Sequence, residues 1–220
     1  MGPPNKSAPA LSGRFAHVSS YAMTFAVFLA VGLARGPGRD FWLPAALWSF
    51  HFARRTLESA FLHRYTRRVP LADMAGEYLY YWGFAAWIAW SVASPAFRLP
   101  ALPLTAAGTS LFALAEAGNF RSHQILARLR PSQGDAARRI PRGFLFALVS
   151  CPHYFFEILS WVGFTLATPA LGSLAFTLLG AGILVAWATR KQRAYLREFD
   201  GRDGRESYPK ERRILVPFCY

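Results

Sequence analysis

An all-α, polytopic membrane bundle of about six spans is the fold class this sequence predicts, and three observations carry it. The 220-residue chain is 53% hydrophobic and 16% aromatic with only 17% charged residues, and its mean hydropathy is +0.19. That balance suits a membrane protein better than a soluble domain. Apolar runs of roughly 20 residues, the length that crosses a hydrocarbon core, recur along the chain. The basic residues fall almost entirely on one side of the runs so defined.

In chain order, residues 1–16 are polar, with Pro3, Pro4 and Pro9, and are expected to form a mobile tail. Residues 17–220 are then the membrane-embedded domain, ending in a cytoplasmic tail. The run at 17–36, with YAMTFAVFLAVGLA at its centre, reads as an anchor helix. It is not read as a signal peptide, since no small-x-small cleavage site stands out and more apolar runs follow. Those runs lie at 41–62, 75–97, 101–120, 143–168 and 171–189. Trp42, Trp48, Tyr78, Tyr80, Tyr81 and Trp82 sit near proposed ends, as interfacial aromatics do, and Pro37, Pro70, Pro100, Pro131 and Pro169 fall between runs or at their edges.

The formal charge of +13 matters through its placement. Six spans gather Lys6, Arg14, Arg64, Arg67, Arg68, Arg121, Arg128, Arg130, Arg138, Arg139, Arg142 and the basic residues from Arg190 to Arg213 on one side. Only Arg35, Arg39 and Arg98 remain on the other. The positive-inside rule therefore predicts both termini in the cytoplasm, in an endoplasmic-reticulum or bacterial inner membrane. The basic tail reads as this signal and as a contact for anionic lipids, with no nucleic-acid partner. Cys151 and Cys219 make no CxxC pair and no metal pattern, so neither a disulfide scaffold nor a metal site is expected.

Three polar clusters interrupt the apolar runs. In the second, His51, Arg55 and Glu58 share a face, with Arg54 one turn before Glu58. In EAGNFRSHQILARLR, Asn119 and His123 are one turn apart, and Asn119 and Arg130 recur on one side after three turns. In CPHYFFEILSWVGF, a helix would put His153 and Glu157 at i,i+4 and Tyr154 and Glu157 at i,i+3. Ionisable groups at such depth tend to be functional, and donors and acceptors from three spans are expected to meet at one cavity. The competing reading makes Arg54, Arg55 and Glu58 a mutual pairing that holds the bundle, His51 and His123 structural histidines, and Tyr154 a core aromatic. No GxGxxG, P-loop, HExxH, GxSxG or zinc-deaminase pattern is present. A nucleotide would have to be held by the bundle itself, with arginines on its phosphates.

At these clusters the chain resembles the steroid 5α-reductase superfamily, and within it the very-long-chain trans-2-enoyl-CoA reductases. The matching stretches are HFARRTLESAFLHRY from His51, YYWGFAAW from Tyr80, GNFRSHQILARLRP from Gly118, RIPRGFLFALVSCPHYFFEILSWVGF from Arg139, KQRAYLREF from Lys191 and YPKERRILVPF from Tyr208. The resemblance implies an NADPH-dependent reduction of a conjugated double bond, with a lipid or acyl-CoA substrate and fatty-acid elongation partners. It implies cofactor contacts at Asn119, His123, Arg130, Arg139, His153, Glu157, Tyr195 and Arg212, with His51 and Glu58 on the substrate side. Tyr154 matches the family's proposed proton donor, and Arg54 matches a lysine implicated in activity. This chain departs from the pattern at His153, where Asn is usual, and at Gln192, where enoyl reductases tend to have His. It departs again at Phe52, where steroid reductases have the Tyr that polarises the 3-keto group. The alternatives are a reductase of a 3-oxo-4-ene steroid, an isoprenylcysteine-type methyltransferase using S-adenosylmethionine, and a non-catalytic membrane scaffold.

Overall fold

The computed structural model describes residues 9–65, 68–129, 139–202 and 204–220. Six α-helices carry most of them: α1 (Gly13–Ala34), α2 (Trp42–Leu57), α3 (Leu71–Val92), α4 (Leu102–Arg128), α5 (Pro152–Ala167) and α6 (Leu171–Glu198), with short strands β1 (Ala10–Ser12) and β2 (Arg68–Pro70). The chain forms two compact units, the first holding α1 to α3 and the second α4, α5 and nearly all of α6. α1 and α6 are long and apolar enough to cross a membrane by length and composition.

The first unit is tied at one end by a short antiparallel ladder in which Ala10 faces Pro70 and Ser12 faces Arg68. Ser12 also caps α1, its hydroxyl accepting from Phe15 N at 3.2 Å, the usual way an orphan N-terminal amide is satisfied. Helix α1 therefore begins at Gly13, ahead of the start expected from hydropathy. Along α1, α2 and the short turn just before α2, Phe28, Phe41, Trp48 and Phe52 are fully buried. Ring centroids 5.1 Å apart for Phe28 and Trp48 and 4.8 Å apart for Trp48 and Phe52 make a continuous aromatic core. Gly32 lets Phe41 approach, because a Cβ there would lie 2.5 Å from the ring. α2 ends in one wide π-helical turn, Glu58–Leu62, closed by His63 N donating to Glu58 O at 2.8 Å. Such turns displace side chains from the regular helix rows.

In the second unit α4 and α5 pack backbone to backbone. A Cβ on Gly108 would lie 2.6 Å from Ala167 N, and one on Gly163 would lie 2.5 Å from Phe112 N. α5 meets α6 through Trp161 and Phe176, with centroids 4.7 Å apart, and through Thr165 and Thr177, whose hydroxyls are 2.8 Å apart.

The run at 143–168 is not one helix. Pro141, the left-handed Gly143 (φ +80°) and Phe144 (φ +50°) break it, and α5 starts only at Pro152, where a proline's missing N–H is harmless. The residues before it pair with the C-terminal tail. Val149 bridges Arg213, Ser150 N donates to Arg213 O at 2.9 Å and Cys151 N donates to Ile214 O at 3.1 Å. With 16 residues, α5 is about 24 Å long, shorter than the ~30 Å hydrocarbon core. His153, Tyr154 and Glu157 consequently stand in its first two turns rather than mid-span. α4 and α6 run on to Arg128 and Glu198, beyond the ends expected at 120 and 189, because polar residues in both extensions are good helix formers that hydropathy does not count.

Candidate active site

In the first unit the polar cluster is built on one carboxylate. Glu58 is 3% exposed and accepts from Arg54 Nη1 on one oxygen and Arg55 Nη1 on the other. The i,i+4 and i,i+3 spacings bring both guanidiniums to the same turn. Arg55 Nη2 donates to Tyr21 Oη at 3.3 Å, and His63 Nε2 lies 3.8 Å from Glu58 Oε2. Both guanidiniums therefore converge on one buried carboxylate. His51 is buried on the same helix, its ring 4.9 Å from that of Phe52.

In the second unit the cluster rests on Asn119, which is 1% exposed on α4. Its amide donates to His153 O at 2.8 Å and to Glu157 Oε2 at 2.9 Å, tying α4 to the first two turns of α5. His123, buried one turn beyond Asn119, has its ring 5.9 Å from that of His153. Tyr154 lies against His153, ring centroids 4.1 Å apart, with Lys191 Nζ 5.7 Å from its own ring centroid. Asn119, His123, His153, Tyr154 and Glu157 thus form one connected group, drawn from helices whose close approach is set by Gly108 and Gly163.

Behind that group stands a hub whose wiring the sequence did not announce. Ser150, buried just before the start of α5, donates to Gln192 Oε1 and has its hydroxyl 2.6 Å from Tyr208 Oη. Tyr208 stacks on Tyr195, with centroids 5.2 Å apart and planes within 11°. Arg212 is buried with its guanidinium 5.3 Å from the Tyr208 ring centroid, and it donates to Pro141 O at 2.8 Å. The C-terminal tail therefore fixes both the entry to α5 and the Tyr195 ring. Arg139 lies exposed in the non-helical segment at the start of this stretch, and Arg130 lies outside the described residues. Sequence reasoning also passed over Tyr21, which sits in an apolar run with nothing to mark it, and the His17–Glu77 pair, whose Nδ1 and Oε1 are 3.6 Å apart. The signal for the hub was present in part, since Ser150 abuts the CPHY stretch and Tyr208 opens YPKERR.

A sequence profile described as 3-oxo-5-alpha-steroid 4-dehydrogenase matches residues 102–220, more than half of the chain and nearly all of the second unit. The chain belongs to that family. The matched region contains Asn119, His123, His153, Tyr154, Glu157, Tyr195 and Arg212, whereas His51, Arg54 and Glu58 precede it. Among family relatives, the chain is similar to a very-long-chain enoyl-CoA reductase of Dictyostelium discoideum, 38% identical over 172 residues, covering 78% of this chain and 55% of the relative. It is also similar to a probable very-long-chain enoyl-CoA reductase of Caenorhabditis elegans, 38% identical over 180 residues, covering 78% and 56%. A steroid 5-alpha-reductase of Gossypium hirsutum is 37% identical over 114 residues, covering 52% and 42%. The chain spans about half the length of the curated relatives it matches.

Proposed function

We propose that this chain is an NADPH-dependent reductase that saturates the conjugated 2,3 double bond of a long-chain trans-2-enoyl-CoA in fatty-acid elongation. The observation that carries the reading is Glu157, pinned by Asn119 beside His153 and Tyr154 within the region that matches the family. The names of the Dictyostelium and Caenorhabditis relatives support the substrate class. A carboxamide such as that of nicotinamide needs an acceptor for its N–H and a donor for its oxygen. The carboxylate of Glu157 and the imidazole of His153, held on adjacent turns, are chemically suited to it. When bound, the nicotinamide nucleotide supplies a hydride for the β-carbon of the substrate.

The remaining steps belong to the chain's own residues. Tyr154 holds on its Oη the proton delivered to the α-carbon, directly or through an ordered water. Arg54, kept in place by Glu58, is a fixed cation for the thioester oxygen or a nearby phosphate and is too basic to act as an acid. His51 lies on the substrate side, and Glu58 acts there by holding both arginines. On the nucleotide side stand His123, Tyr195, Arg139 and Arg130, while Arg212 acts from behind by holding the carbonyl of Pro141. The bundle crosses an endoplasmic-reticulum or bacterial inner membrane six times with both termini cytoplasmic, the arrangement supported by the one-sided basic residues.

A second reading, reduction of a 3-oxo-4-ene steroid, is favoured by the description of the matched family and by the Gossypium relative. NADPH oxidation by the purified, detergent-solubilised protein separates the two. Turnover of a long-chain trans-2-enoyl-CoA and not of the steroid enone is the expected result, and turnover of the steroid alone sinks the acyl reading.

A further inference from the structure

The far end of α6 carries a surface that the reaction does not use. Past Thr189 the helix leaves its apolar run and continues to Glu198. Arg190, Arg193 and Arg197 are all exposed there, and their i, i+3, i+7 spacing aligns them in one row. Among the described residues none of the three guanidiniums has a protein partner. The same row runs back along the helix through Trp187, Ile183 and Leu179, which are 47%, 39% and 55% exposed. An outward apolar stripe therefore passes through an interfacial-type tryptophan into three exposed cations. From Leu179 to Arg190 is about 16 Å of helix, close to half of the ~30 Å hydrocarbon core, which is the depth of one leaflet.

The C-terminus frames this row from the side. Tyr220 Oη is 2.9 Å from Thr189 Oγ1, on the turn that carries Arg190 and Arg193. The chain curls back so that Leu215 N donates to the main-chain oxygen of Tyr220 at 2.7 Å. Phe218 and Tyr220 are left 77% and 45% exposed beside the basic row. Aromatic rings of this kind favour the membrane–water boundary. Apolar surface at acyl depth, aromatics at the boundary and cations just beyond them match, in order, the chemistry of a phospholipid.

We infer that this face of α6 is a binding site for an anionic phospholipid of the bilayer. Its phosphate lies on Arg190, Arg193 and Arg197, and its acyl chains lie along Leu179, Ile183 and Trp187. The inference rests on the membrane reading above and is independent of the substrate. Each cation near an anionic membrane surface is worth about fivefold in partitioning, so three favour an anionic over a zwitterionic lipid by roughly 10-fold or more after competition from bulk lipid.

The test uses the full chain reconstituted into nanodiscs of equimolar phosphatidylcholine and phosphatidylglycerol, with retained lipids counted by native mass spectrometry. Preferential retention of phosphatidylglycerol is expected. It is expected to disappear in R190Q/R193Q/R197Q and to survive in the charge-matched control R202Q/R205Q/K210Q. No preference in the unmodified protein, a preference that persists in the first variant, or equal loss in both variants overturns the site. Displacement of the lipid by inorganic phosphate also overturns it, by reassigning the row to a soluble anion. Extraction of membranes with alkaline carbonate distinguishes failure of the premise. A protein released by carbonate refutes the membrane reading itself, whereas an inserted protein without lipid preference refutes only the site.

Discussion

Replacing Asn119 by leucine tests the centre of the second cluster, because it keeps the size of the side chain and removes its donations to His153 and Glu157. The donation to His153 O, at 2.8 Å, goes to a carbonyl in the first turn of α5, so its loss costs about 0.5–1.5 kcal/mol. The donation to Glu157 Oε2, at 2.9 Å, goes to a carboxylate and is worth about 1.5–3 kcal/mol. Glu157 is only half-buried and regains some hydration, which places the total near the lower end, about 2–3 kcal/mol. Part of that loss appears as stability and part as disorder of the carboxylate that the proposed mechanism assigns to the carboxamide. If half to all of it is felt on binding, NADPH affinity falls by about 5- to 150-fold. Fluorescence titration of NADPH into the detergent-solubilised variant measures this, with thermal unfolding followed in parallel. A folded Asn119→Leu protein that binds NADPH within about twofold of the parent refutes the placing of the nucleotide at Glu157.

Four further outcomes are expected. Tyr154→Phe removes the proposed proton donor and lowers turnover of the enoyl thioester by about 10²-fold or more, with NADPH affinity unchanged in the same titration. Glu58→Gln leaves Arg54 and Arg55 facing a neutral amide and costs about 3 kcal/mol, the low end for a broken buried pair because both arginines retain some exposure; in thermal unfolding this is a drop of about 6–12 °C. Gly163→Ala drives a methyl group into the Phe112 and Gly108 backbone of α4, destabilising by about 1–3 kcal/mol, read as a lower midpoint of thermal unfolding. Deleting residues 208–220 removes Tyr208 and Arg213 from Ser150, Ile214 from Cys151 and the Arg212 to Pro141 bond; NADPH binding is expected to be lost while the helical circular dichroism is largely kept.

How much of this was legible in the sequence follows from the range of each interaction. The Arg54, Arg55 and Glu58 group was readable because all three sit within five residues of one helix, where spacing alone dictates contact. His153, Tyr154 and Glu157 were readable as one helix face for the same reason. The bond from Asn119 to Glu157 was not, because it depends on the crossing of α4 and α5, and that crossing depends on Gly108 and Gly163, which nothing in a hydropathy pattern distinguishes from other small residues. The late start of α5 was missed because Phe144, Leu145, Phe146, Leu148 and Val149 are as apolar as the helix itself. Pro141, Gly143 and Pro152 were the local signs, and pairing with Arg213 and Ile214, more than 60 residues away, satisfies the backbone that a helix would otherwise have satisfied. Ser150, Gln192 and Tyr208 converge only after that pairing has formed. Their roles could not be read before the fold.

The two clusters solve the burial of polar groups in different ways, and the difference bears on the proposed chemistry. In the first unit full charges meet within one helical turn, so the arginines are placed mainly by local spacing, with Tyr21 as a distant partner of Arg55. In the second unit the carboxylate accepts from an amide on a separate helix, and its geometry is held by glycine contacts between helices and by the returning tail. A fixed cation suits a substrate that carries phosphates and a thioester oxygen on which negative charge develops. A carboxylate held by an amide donor suits recognition of a carboxamide, where direction matters more than charge. Lys191, set against the ring of Tyr154, adds a positive charge beside the residue that the proposed mechanism leaves anionic. Under the proposed mechanism hydride acceptance and proton delivery both increase negative charge, and a cation beside Tyr154 favours that over transfer of a methyl group from a cationic donor.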